Sequence, residues 1–386
     1  MANPLQRAID DAPIGATIKL SAGIYRGNLT INKPLTLIGT DAHVIIRGER
    51  KGSVITITSS HVRLENLTIT QSGNQIITLD AAIAMKQVSH CTITRCKLQD
   101  TLYGIDMKIV HDSNITHNTI TSNGLEKSMR GDALKIWYSN RNRITHNQIN
   151  ASRDVTLVFS NDTLFANNTI TDGRHGFAME RSKHTRIQNN TFGYNSTGIM
   201  TMASEDTNIT HNQILSCTGA AGIGMIIQGG GKLHFEHNRI SYNAKALYID
   251  TKDHEKGMRR IFRHNSITYN KEAFHFHLTI KNNTIMHNTI TGNLDDVIKD
   301  IEGARTIDNL IEENYWDRYA GFDKNGDNIG DTPHRIYQYA DQLWHYNHQV
   351  KFFYGSPIMS LLNFLSNLAP FIEPHLLLED HKPIIE

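Results

Sequence analysis

The sequence predicts an all-β protein that folds as a right-handed parallel β-helix, a solenoid with a short N-terminal cap helix and a C-terminal tail of helical and irregular structure. The main evidence is a repeated phrase, roughly x-Ile-x-x-Asn-x-Ile-x-x-Asn, with copies at 114–123, 143–150, 208–215, 260–270 and 284–293. Ile and Val alternate with polar residues in each copy, which is the period of a strand. The central Asn recurs every 21 to 30 residues, most often 22. This spacing accommodates three short strands per turn, and parallel crossovers are almost always right-handed.

The recurring Asn has a structural explanation. The bends of a solenoid need residues that tolerate left-handed backbone, which Asn does, and stacked Asn amides can hydrogen-bond to the coils above and below. We therefore interpret the column as a ladder, rather than as sugar or metal ligands; it includes Asn118, Asn147, Asn168, Asn190 and Asn212. The Asn-x-Thr/Ser triplets follow from this ladder and are not evidence of glycosylation.

The first two regions of the chain are predicted from the pattern of apolar residues. Residues 1–15 form an N-terminal cap, in which the amphipathic segment 4–12 makes a helix that covers the apolar end of the first coil. Residues 16–316 form the β-helix. Insertions lengthen particular coils and project as loops, near 72–80, 123–131 and 251–259.

Residues 317–386 form a C-terminal extension with an Asp-rich turn and an amphipathic helix. The helix is predicted over 356–369, because Ser356 can cap it, Pro357 suits its first position, and apolar residues follow at helical spacing. It either caps the last coil or docks on a partner, and capping is the default interpretation.

Composition excludes several classes of partner. The chain has 39 basic and 38 acidic residues with no basic run, which argues against nucleic acid, and it has no 18-residue apolar stretch that would span a membrane. The N-terminus lacks the basic and apolar pattern of a signal peptide, so we expect either a mature form or a protein that stays inside the cell. The three cysteines, Cys91, Cys96 and Cys217, are interpreted as buried or free thiols.

A column of methionines is the first candidate for chemistry. Each Met follows a Gly by one to four residues, and equal phase in a solenoid means vertical stacking. Soft thioether sulfur selects Cu(I), whereas the alternative is that Met fills irregular gaps in the core. Met107 belongs to this column, and the predicted copper ligands are Met179, Met200, Met202, Met225 and the nearby His175. Met200 and Met202 are two residues apart, so they face the same side of their strand.

Histidines form a second column. Imidazole binds copper and zinc, but a solvated bend accepts any polar residue, so we interpret this column as an exposed face. Its members each precede a ladder Asn: His117, His146, His211, His237, His264 and His287. His275 and His277 alternate with Phe274 and Phe276 and are predicted to lie on the outer face of a strand.

The C-terminal extension contains a calcium-like loop. Oxygen-bearing residues follow the spacing of such loops at Asp323, Asn325, Asp327 and Asp331. However, Asn328 replaces the usual Gly, and His334 stands where a bidentate Glu would be. The segment predicts either a Ca²⁺ site or a tight polar turn.

An enzyme that acts on acidic polysaccharide, a lyase or an epimerase, is the alternative function, because β-helices often carry such chemistry. It needs paired carboxylates, or an acidic Ca²⁺ cluster with a base. The chain offers Asp106, Asp132, Asp154 and the pair Asp295–Asp296, but they form no defined motif, so no catalytic residue is predicted. A scaffold that binds only proteins is a third possibility.

The C-terminal motifs carry a family resemblance. The segment from Asn314 to Ile336, which begins Asn-Tyr-Trp-Asp-Arg-Tyr, resembles the closing signature of the NosD family. Its continuation at 340–344, 353–357 and 370–386 and the opening segments 20–25 and 34–39 are also similar to that family. The resemblance therefore covers nearly the whole chain.

The resemblance implies a periplasmic protein of nitrous oxide reductase maturation that is not itself an enzyme. It implies work with an ABC transporter (membrane subunit NosY, ATPase NosF), delivery of copper by the lipoprotein chaperone NosL, and transient handling of Cu(I), of sulfur, or of both for the reductase. Residues 175–179 and 198–202 resemble the family's Met-containing strand segments. This sequence differs after them, since Glu180-Arg181 and Ala203-Ser204 stand where the family usually has Tyr.

Overall fold

The computed structural model describes residues 3–124, 126–219, 221–250, 258–300, 306–338, 348–353, 356–368 and 375–385. The chain divides into two compact units, Met1–Gln213 and Ile214–Glu386. Each unit consists mainly of short parallel strands arranged in three sheets, which confirms the predicted all-β parallel β-helix. Segment 340–344, which contributes to the family resemblance, lies outside the described residues, as does most of the predicted loop 251–259.

The first unit begins with helix α1, Pro4–Asp11, close to the predicted helix. The Asn3 side chain caps it by accepting a hydrogen bond from the Leu5 amide at 3.0 Å, and Pro4 fits the first position. Leu5 and Ile9 are buried. Gln6 exchanges two hydrogen bonds with the backbone of Thr30, so the helix satisfies part of an open strand edge.

Three sheets form the rest of the first unit. The first sheet contains Thr17–Leu20, Thr36–Gly39, Arg63–Glu65, Thr92–Thr94, Asn114–Thr116, Arg143–Thr145, Leu164–Ala166, Arg186–Gln188 and Thr207–Thr210. The second contains Gly23–Arg26, Val44–Arg47, Thr68–Thr70, Lys97–Thr101, Thr119–Ser122, Gln148–Asn150, Thr169–Thr171 and Thr191–Gly193. The third contains Leu29–Ile31, Ile55–Ile57, Ala81–Ser89, Tyr103–His111, Leu134–Trp137, Asp154–Val158, His175–Glu180 and Thr197–Met202. A single turn of 3₁₀ helix covers Lys127–Met129.

The second unit has the same three-sheet plan. Its first sheet contains Leu233–Glu236, Arg260–Arg263, Asn283–Met286 and Leu310–Glu312. Its second contains Arg239–Ser241, Ser266–Thr268, Thr289–Thr291 and Tyr315–Trp316. Its third contains Ile223–Gln228, Lys245–Asp250, Glu272–Phe276 and Asp295–Lys299. Strand Gln213–Leu215 spans the boundary between the units in the sequence.

Further elements of the second unit lie outside these three sheets. Ile280–Lys281 pairs with Thr306–Ile307, and His334–Gln338 pairs antiparallel with His375–Asp380. Helix α2 covers Pro357–Leu368, within the predicted 356–369, and a 3₁₀ segment covers His348–Phe353.

The interior is built from aliphatic side chains stacked in register. Ile93, Ile115 and Ile144 occupy equivalent positions in successive strands of the first sheet, and all three are fully buried. Alternation with polar residues turns one face of each strand inward, so each coil contributes apolar side chains to the same column. The three cysteines are buried free thiols, as predicted, and burial raises the pKa of Cys96 to about 12.

The Asn ladder is confirmed in both units. In the first unit the ladder runs from Asn118 through Asn212. Each Asn donates its backbone N–H and its side-chain Nδ2–H to Oδ1 of the Asn one coil later, at 2.8–3.1 Å. The second unit repeats the arrangement from Asn238 through Asn314.

One detail of the bend differs from the prediction. In the ladder coils the left-handed residue is the one before the Asn, for example His117 with φ 56° and His146 with φ 58°. Their rings stack with centroids 4.7 Å apart, and both are exposed, as predicted for the His column. His is among the residues that tolerate this conformation, so the His column follows from the bend.

A C-terminal strand ends the ladder of the second unit. Asp380, on strand His375–Asp380, accepts hydrogen bonds from the backbone N–H and Nδ2 of Asn314 at 3.1 and 2.9 Å, and from Nε1 of Trp316 at 2.9 Å. Helix α2 buries Met359 but exposes its other described apolar side chains, which are Ile358, Leu361, Leu362, Phe364 and Leu365. This strand therefore covers the end of the ladder, and capping or docking by helix α2 stays a prediction.

Candidate functional site

Two predicted copper ligands lie side by side on an open sheet face of the first unit. Strand Thr197–Met202 pairs in parallel with His175–Glu180, which puts Met200 opposite Ala178 and Met202 opposite Glu180. Alternation turns both thioethers outward, and both side chains are partly exposed. The prediction that Met200 and Met202 share a face is confirmed.

Met179 and Met225 lie elsewhere. Met179 pairs with Thr201 on one side and Leu157 on the other, is 0% exposed, and so points into the interior. Met225, in the second unit, pairs with Leu247 and is also 0% exposed. Because opposite faces of a strand do not share a ligand position, Met179 cannot join Met200 and Met202 without refolding the strand. For these two residues the structure matches the core-filling alternative.

His175 also lies apart from the thioether pair. It stands opposite Thr197, three residues before Met200, which corresponds to roughly 10 Å along the strand. Its Nδ1 is 3.2 Å from Oδ1 of Asp154, and its backbone N–H donates to the same oxygen at 3.0 Å. The five residues predicted as one copper site are therefore not assembled together, and copper binding by any of them stays a prediction.

The surroundings of the Met200–Met202 pair suit a soft cation. Met200 lies in register with Ala178 on the neighbouring strand and with Thr156 on the strand before that. Ala178 is small and leaves space beside the Met200 thioether. Beside Met202, a carboxylate oxygen of Glu180 lies 3.8 Å from Nε of Arg181. Two flexible thioethers about 7 Å apart at their Cα atoms can converge on one ion.

The calcium-like loop of the second unit uses its acidic oxygens internally. Asp323 accepts the backbone N–H groups of Gly326 and Asn328 at 2.7 and 2.8 Å. Desolvation raises the pKa of Asp323, but these backbone donors outweigh it and bring the pKa below its ordinary value. Asp331 accepts the N–H of Lys324, and Asp327 accepts that of Ile329.

These contacts describe a tight polar turn. His334, which stands where a bidentate Glu would be, packs against Trp316 with ring centroids 5.4 Å apart. Calcium binding by Asp323, Asn325, Asp327 and Asp331 stays a prediction.

Two carboxylates that formed no motif in the sequence come together on the third sheet of the first unit. Nε of Arg153 lies 3.1 Å from Oδ1 of Asp132 and 3.5 Å from Oδ2 of Asp154. Burial and the neighbouring Asp154 raise the pKa of Asp132. Burial also acts to raise the pKa of Asp154, but His175 and Arg174 outweigh it and lower that pKa to about 2. Both carboxylates were noted in the sequence, but only the register of the coils brings them together.

A second cluster, which the sequence analysis missed, lies on the third sheet of the second unit. Nδ1 of His275 is 2.5 Å from Oε2 of Glu272, and Oδ2 of Asp300 is 3.0 Å from both Nε2 of His275 and Nδ1 of His277. Burial lowers the pKa of His275, but the two carboxylates outweigh it and raise the pKa above its ordinary value. The alternating His and Phe residues at 274–277 marked the outer face of the strand, as predicted. They did not indicate the acidic partners.

The part of the chain that the structure describes contains neither a preformed metal cluster nor a helix that could span a membrane. No three or more His, Cys, Asp and Glu side chains there already surround one point in a way that could hold a metal ion. No helix among those residues is long and apolar enough to cross a membrane.

Comparison with known proteins decides the family. Residues 117–321, more than half of the chain, match the family model described as "Periplasmic copper-binding protein (NosD)". The chain belongs to the NosD family. The resemblance to the NosD family is thereby confirmed.

Curated NosD relatives align over most of the chain. The "Probable ABC transporter binding protein NosD" of Stutzerimonas stutzeri is 23% identical over 387 residues, which is 92% of this chain and 84% of the relative. The protein of the same name in Pseudomonas aeruginosa is 24% identical over 389 residues, with the same coverage. Both names describe binding proteins of a transporter.

Solved structures share the fold. The A-module of the mannuronan C-5 epimerase AlgE6 from Azotobacter vinelandii aligns with a TM-score of 0.60 at 17% identity, over 79% of this chain and 93% of that module. A mannuronic acid-specific polysaccharide family 6 lyase from human gut microbiota aligns with a TM-score of 0.57 at 14% identity, over 81% of this chain and 84% of the lyase. At this identity the likeness shows the β-helix and nothing about activity.

Proposed function

We propose that this NosD-family chain is a periplasmic accessory protein of nitrous oxide reductase maturation, which receives Cu(I) and passes it on in concert with an ABC transporter. The family description supports copper and the periplasm, and the names of the relatives support the transporter. The single observation that carries the proposal is the outward-facing pair Met200 and Met202 on a rigid sheet.

The chemistry of this pair suits transfer rather than storage. Thioethers stay uncharged at every pH and prefer Cu(I), so loading needs no proton release. Two sulfur ligands leave coordination positions for a ligand of the donor or acceptor, which allows the ion to move by ligand exchange.

The partners follow from the family. The lipoprotein chaperone NosL would supply the ion, nitrous oxide reductase would receive it, and the ATPase NosF would drive shape changes through the membrane subunit NosY. No transport through this chain is involved.

Helix α2 is the element we assign to docking on NosY. Its sequence, Pro357–Leu368, has no charged residue, and Leu361 and Phe364 are 56% and 57% exposed. A contiguous exposed apolar surface of this kind marks an interaction site. An apolar membrane subunit is the partner in the family that fits such a surface.

The test of copper handling is an anaerobic Cu(I) titration of the full chain against a competing chelator. We expect wild-type protein to withdraw Cu(I) from the chelator and the double variant Met200→Leu/Met202→Leu to lose this ability. Leu keeps the volume of Met but supplies no sulfur ligand. The matched control is Met179→Leu on the same strand pair, which should bind as wild type because Met179 lies inside.

Two outcomes count against the proposal. Retained binding in the double variant would remove Met200 and Met202 as ligands. Loss of binding in Met179→Leu, with its fold intact by circular dichroism, would show that the interior sulfur participates and that the strand faces are assigned wrongly.

The carbohydrate-active alternative rests on one observation, the pair Asp132 and Asp154. Their pKa values move in opposite directions, which is the arrangement of an acid and a base that share one site. Incubation with alginate or polygalacturonate, followed by detection of unsaturated uronates or of epimerised residues, tests it. Turnover abolished by Asp154→Asn would favour the enzyme, whereas no turnover with either polymer would leave the copper proposal in place.

A further inference from the structure

A compact group of charged and aromatic side chains lies on the outer face of the third sheet of the second unit. Glu272, His275, His277 and Asp300 form its centre, and Lys245 and Tyr248 lie beside it. It belongs to a different unit from the Met200–Met202 pair, and the copper-transfer proposal does not use it. Polar groups that are buried in this way usually have a structural or functional reason, and the copper-transfer proposal does not supply one.

We propose that His275, His277 and Asp300 form a binding site for a divalent transition-metal ion, Zn²⁺ or Cu²⁺. Two imidazoles and one carboxylate are a donor set that these borderline ions prefer and that Cu(I)-selective thioethers do not resemble. The proposed site is therefore separate from the Met200–Met202 pair in both position and ion class.

The distances between the donor atoms match a coordination sphere. Oδ2 of Asp300 is 3.0 Å from Nε2 of His275 and 3.0 Å from Nδ1 of His277. With metal–ligand bonds of about 2.0–2.1 Å, neighbouring donors of a tetrahedral or octahedral ion stand about 2.9–3.4 Å apart. The carboxylate oxygen already keeps that spacing to both imidazoles.

An unsatisfied atom points at the site. His275 is 3% exposed, and its Nε2 has no hydrogen-bond partner among the described residues, although Asp300 lies 3.0 Å away. The Asp300 oxygen is therefore close to Nε2 without the direction of a hydrogen bond to it. A buried imidazole nitrogen without a hydrogen bond is costly unless a ligand completes it.

The other nitrogen of His275 has a carboxylate and an ammonium as neighbours. Nδ1 lies 2.5 Å from Oε2 of Glu272 and 2.8 Å from Nζ of Lys245, and Nζ also donates a hydrogen bond to Oε2 of Glu272 at 2.9 Å. A carboxylate that accepts the Nδ1 proton leaves the Nε2 lone pair for a metal and fixes the orientation of the ring. Stacking of Tyr248 on His275, with centroids 5.1 Å apart, restricts the ring further.

Carboxylates surround the place where the ion would bind. Glu272 and Asp300 lie beside the imidazole of His275 and the ammonium of Lys245. Asp250 adds a third carboxylate, because it follows Ile249, which pairs with Phe276 next to His277. A divalent ion that binds Nε2 of His275 in place of a proton would therefore find compensating negative charge in a partly buried setting, where unpaired charge is expensive.

Metal binding at these three residues would require one side chain to rotate. The three donors do not yet surround a common point, so the His277 ring must turn toward Asp300 and His275. The His277 side chain is 38% exposed, whereas that of His275 is 4% exposed. His277 can therefore rotate without disturbing the core, and His275 and Asp300 form the fixed half of the site.

The experiment is titration of the full chain, stripped of metal by a chelator, with Zn²⁺ by calorimetry and separately with Cu²⁺ by electron paramagnetic resonance. We expect saturable binding that weakens by about tenfold or more in His277→Ala and in Asp300→Asn. For Cu²⁺, coupling to two nitrogen donors in wild type should fall to one in His277→Ala. His277 is partly exposed, so this variant should keep the fold, which circular dichroism checks.

The matched control is His264→Gln/His287→Gln, which removes two imidazoles whose rings stack 4.9 Å apart in the same unit. Unchanged binding in this control supports the proposed site, whereas loss of binding there would assign the metal to the His column and overturn the proposal. Unchanged affinity in both His277→Ala and Asp300→Asn would also overturn it. Met200→Leu/Met202→Leu should leave Zn²⁺ binding unaltered, so failure of this proposal is distinguishable from failure of the copper-transfer proposal.

Discussion

Asn168→Ala is the substitution that tests the ladder most directly. The Asn168 side chain is 1% exposed and makes four hydrogen bonds. Its Oδ1 accepts the backbone N–H and Nδ2–H of Asn147 at 2.9 and 3.0 Å. Its Nδ2 donates to the carbonyl of Ile144 at 2.9 Å and to Oδ1 of Asn190 at 3.1 Å. Alanine removes all four and leaves the buried backbone N–H of Asn147 without its acceptor.

The expected loss follows from these contacts. A buried orphaned amide costs about 1–3 kcal/mol, and each remaining hydrogen bond contributes roughly 0.5–1.5 kcal/mol. Asn147 Nδ2 keeps its bond to Ile115 at 2.9 Å, which limits the damage on that side. Partial relaxation favours the low end of the range, so we expect the free energy of unfolding to fall by about 3–5 kcal/mol.

Asn150→Ala is the matched control, because Asn150 is exposed and makes one side-chain hydrogen bond, to Oγ1 of Thr171 at 2.7 Å. We expect it to cost less than about 1 kcal/mol. Urea unfolding followed by circular dichroism measures both variants, and the midpoints are compared directly because solenoids can lose cooperativity. If the two variants unfold at the same midpoint, the ladder does not stabilise this fold as argued.

Three further perturbations follow from the structure. Asp380→Ala leaves the backbone N–H of Asn314 and the Nε1–H of Trp316 without their acceptor, whereas Nδ2 of Asn314 keeps the carbonyls of Ile285 and Glu312. Thermal unfolding should therefore begin earlier, by an amount equivalent to about 2–5 kcal/mol, and an unchanged melt would contradict closure by this strand. Burial raises the pKa of Asp296 to about 7, and a raised carboxyl pKa removes stability as pH rises from about 4 to 7. Asp296→Asn should therefore raise the melting temperature at pH 8 and leave it unchanged at pH 4, and equal shifts would refute the assignment. Leu361→Asp should abolish pull-down with detergent-solubilised NosY–NosF, whereas the exposed control Asn150→Asp should not.

The fold could be predicted because every copy of the repeat has the same pattern of apolar and polar residues. Each copy carries the same alternation, so Ile93, Ile115 and Ile144 align without knowledge of any other part of the chain. The ladder followed from the same spacing. The left-handed position was misplaced by one residue, because Asn and His both tolerate that conformation and only the backbone distinguishes them.

The candidate site was predicted only in part because distances of one to four residues from a Gly were treated as equivalent. Met107, Met179 and Met225 each lie three residues after a Gly and are buried, whereas Met200 and Met202 lie two and four residues after Gly198 and are partly exposed. Side chains alternate between the two faces of a strand, so an odd and an even distance place the thioether on opposite faces. The parity of the spacing therefore separates the core methionines from the exposed pair, but the register of the strands was needed to show which parity points inward.

Contacts between residues that are far apart in the chain could not be predicted from the sequence either. Asp380 reaches the ladder from 66 residues after Asn314, and Asp300 meets His275 only because one coil has a particular length. Loop lengths between coils vary from one repeat to the next, so the partners of a given side chain depend on the whole register. Residue type indicated the chemistry in these cases, but not the pairing.

X-ray absorption at the copper edge is the most direct test of the claim that Met200 and Met202 hold Cu(I). The chain would be loaded anaerobically with substoichiometric Cu(I) and compared with Met200→Leu/Met202→Leu and Met179→Leu. The account predicts sulfur in the first coordination shell of wild type and of Met179→Leu, and its loss in the double variant. A first shell of nitrogen and oxygen alone, or sulfur that persists without Met200 and Met202, would contradict it.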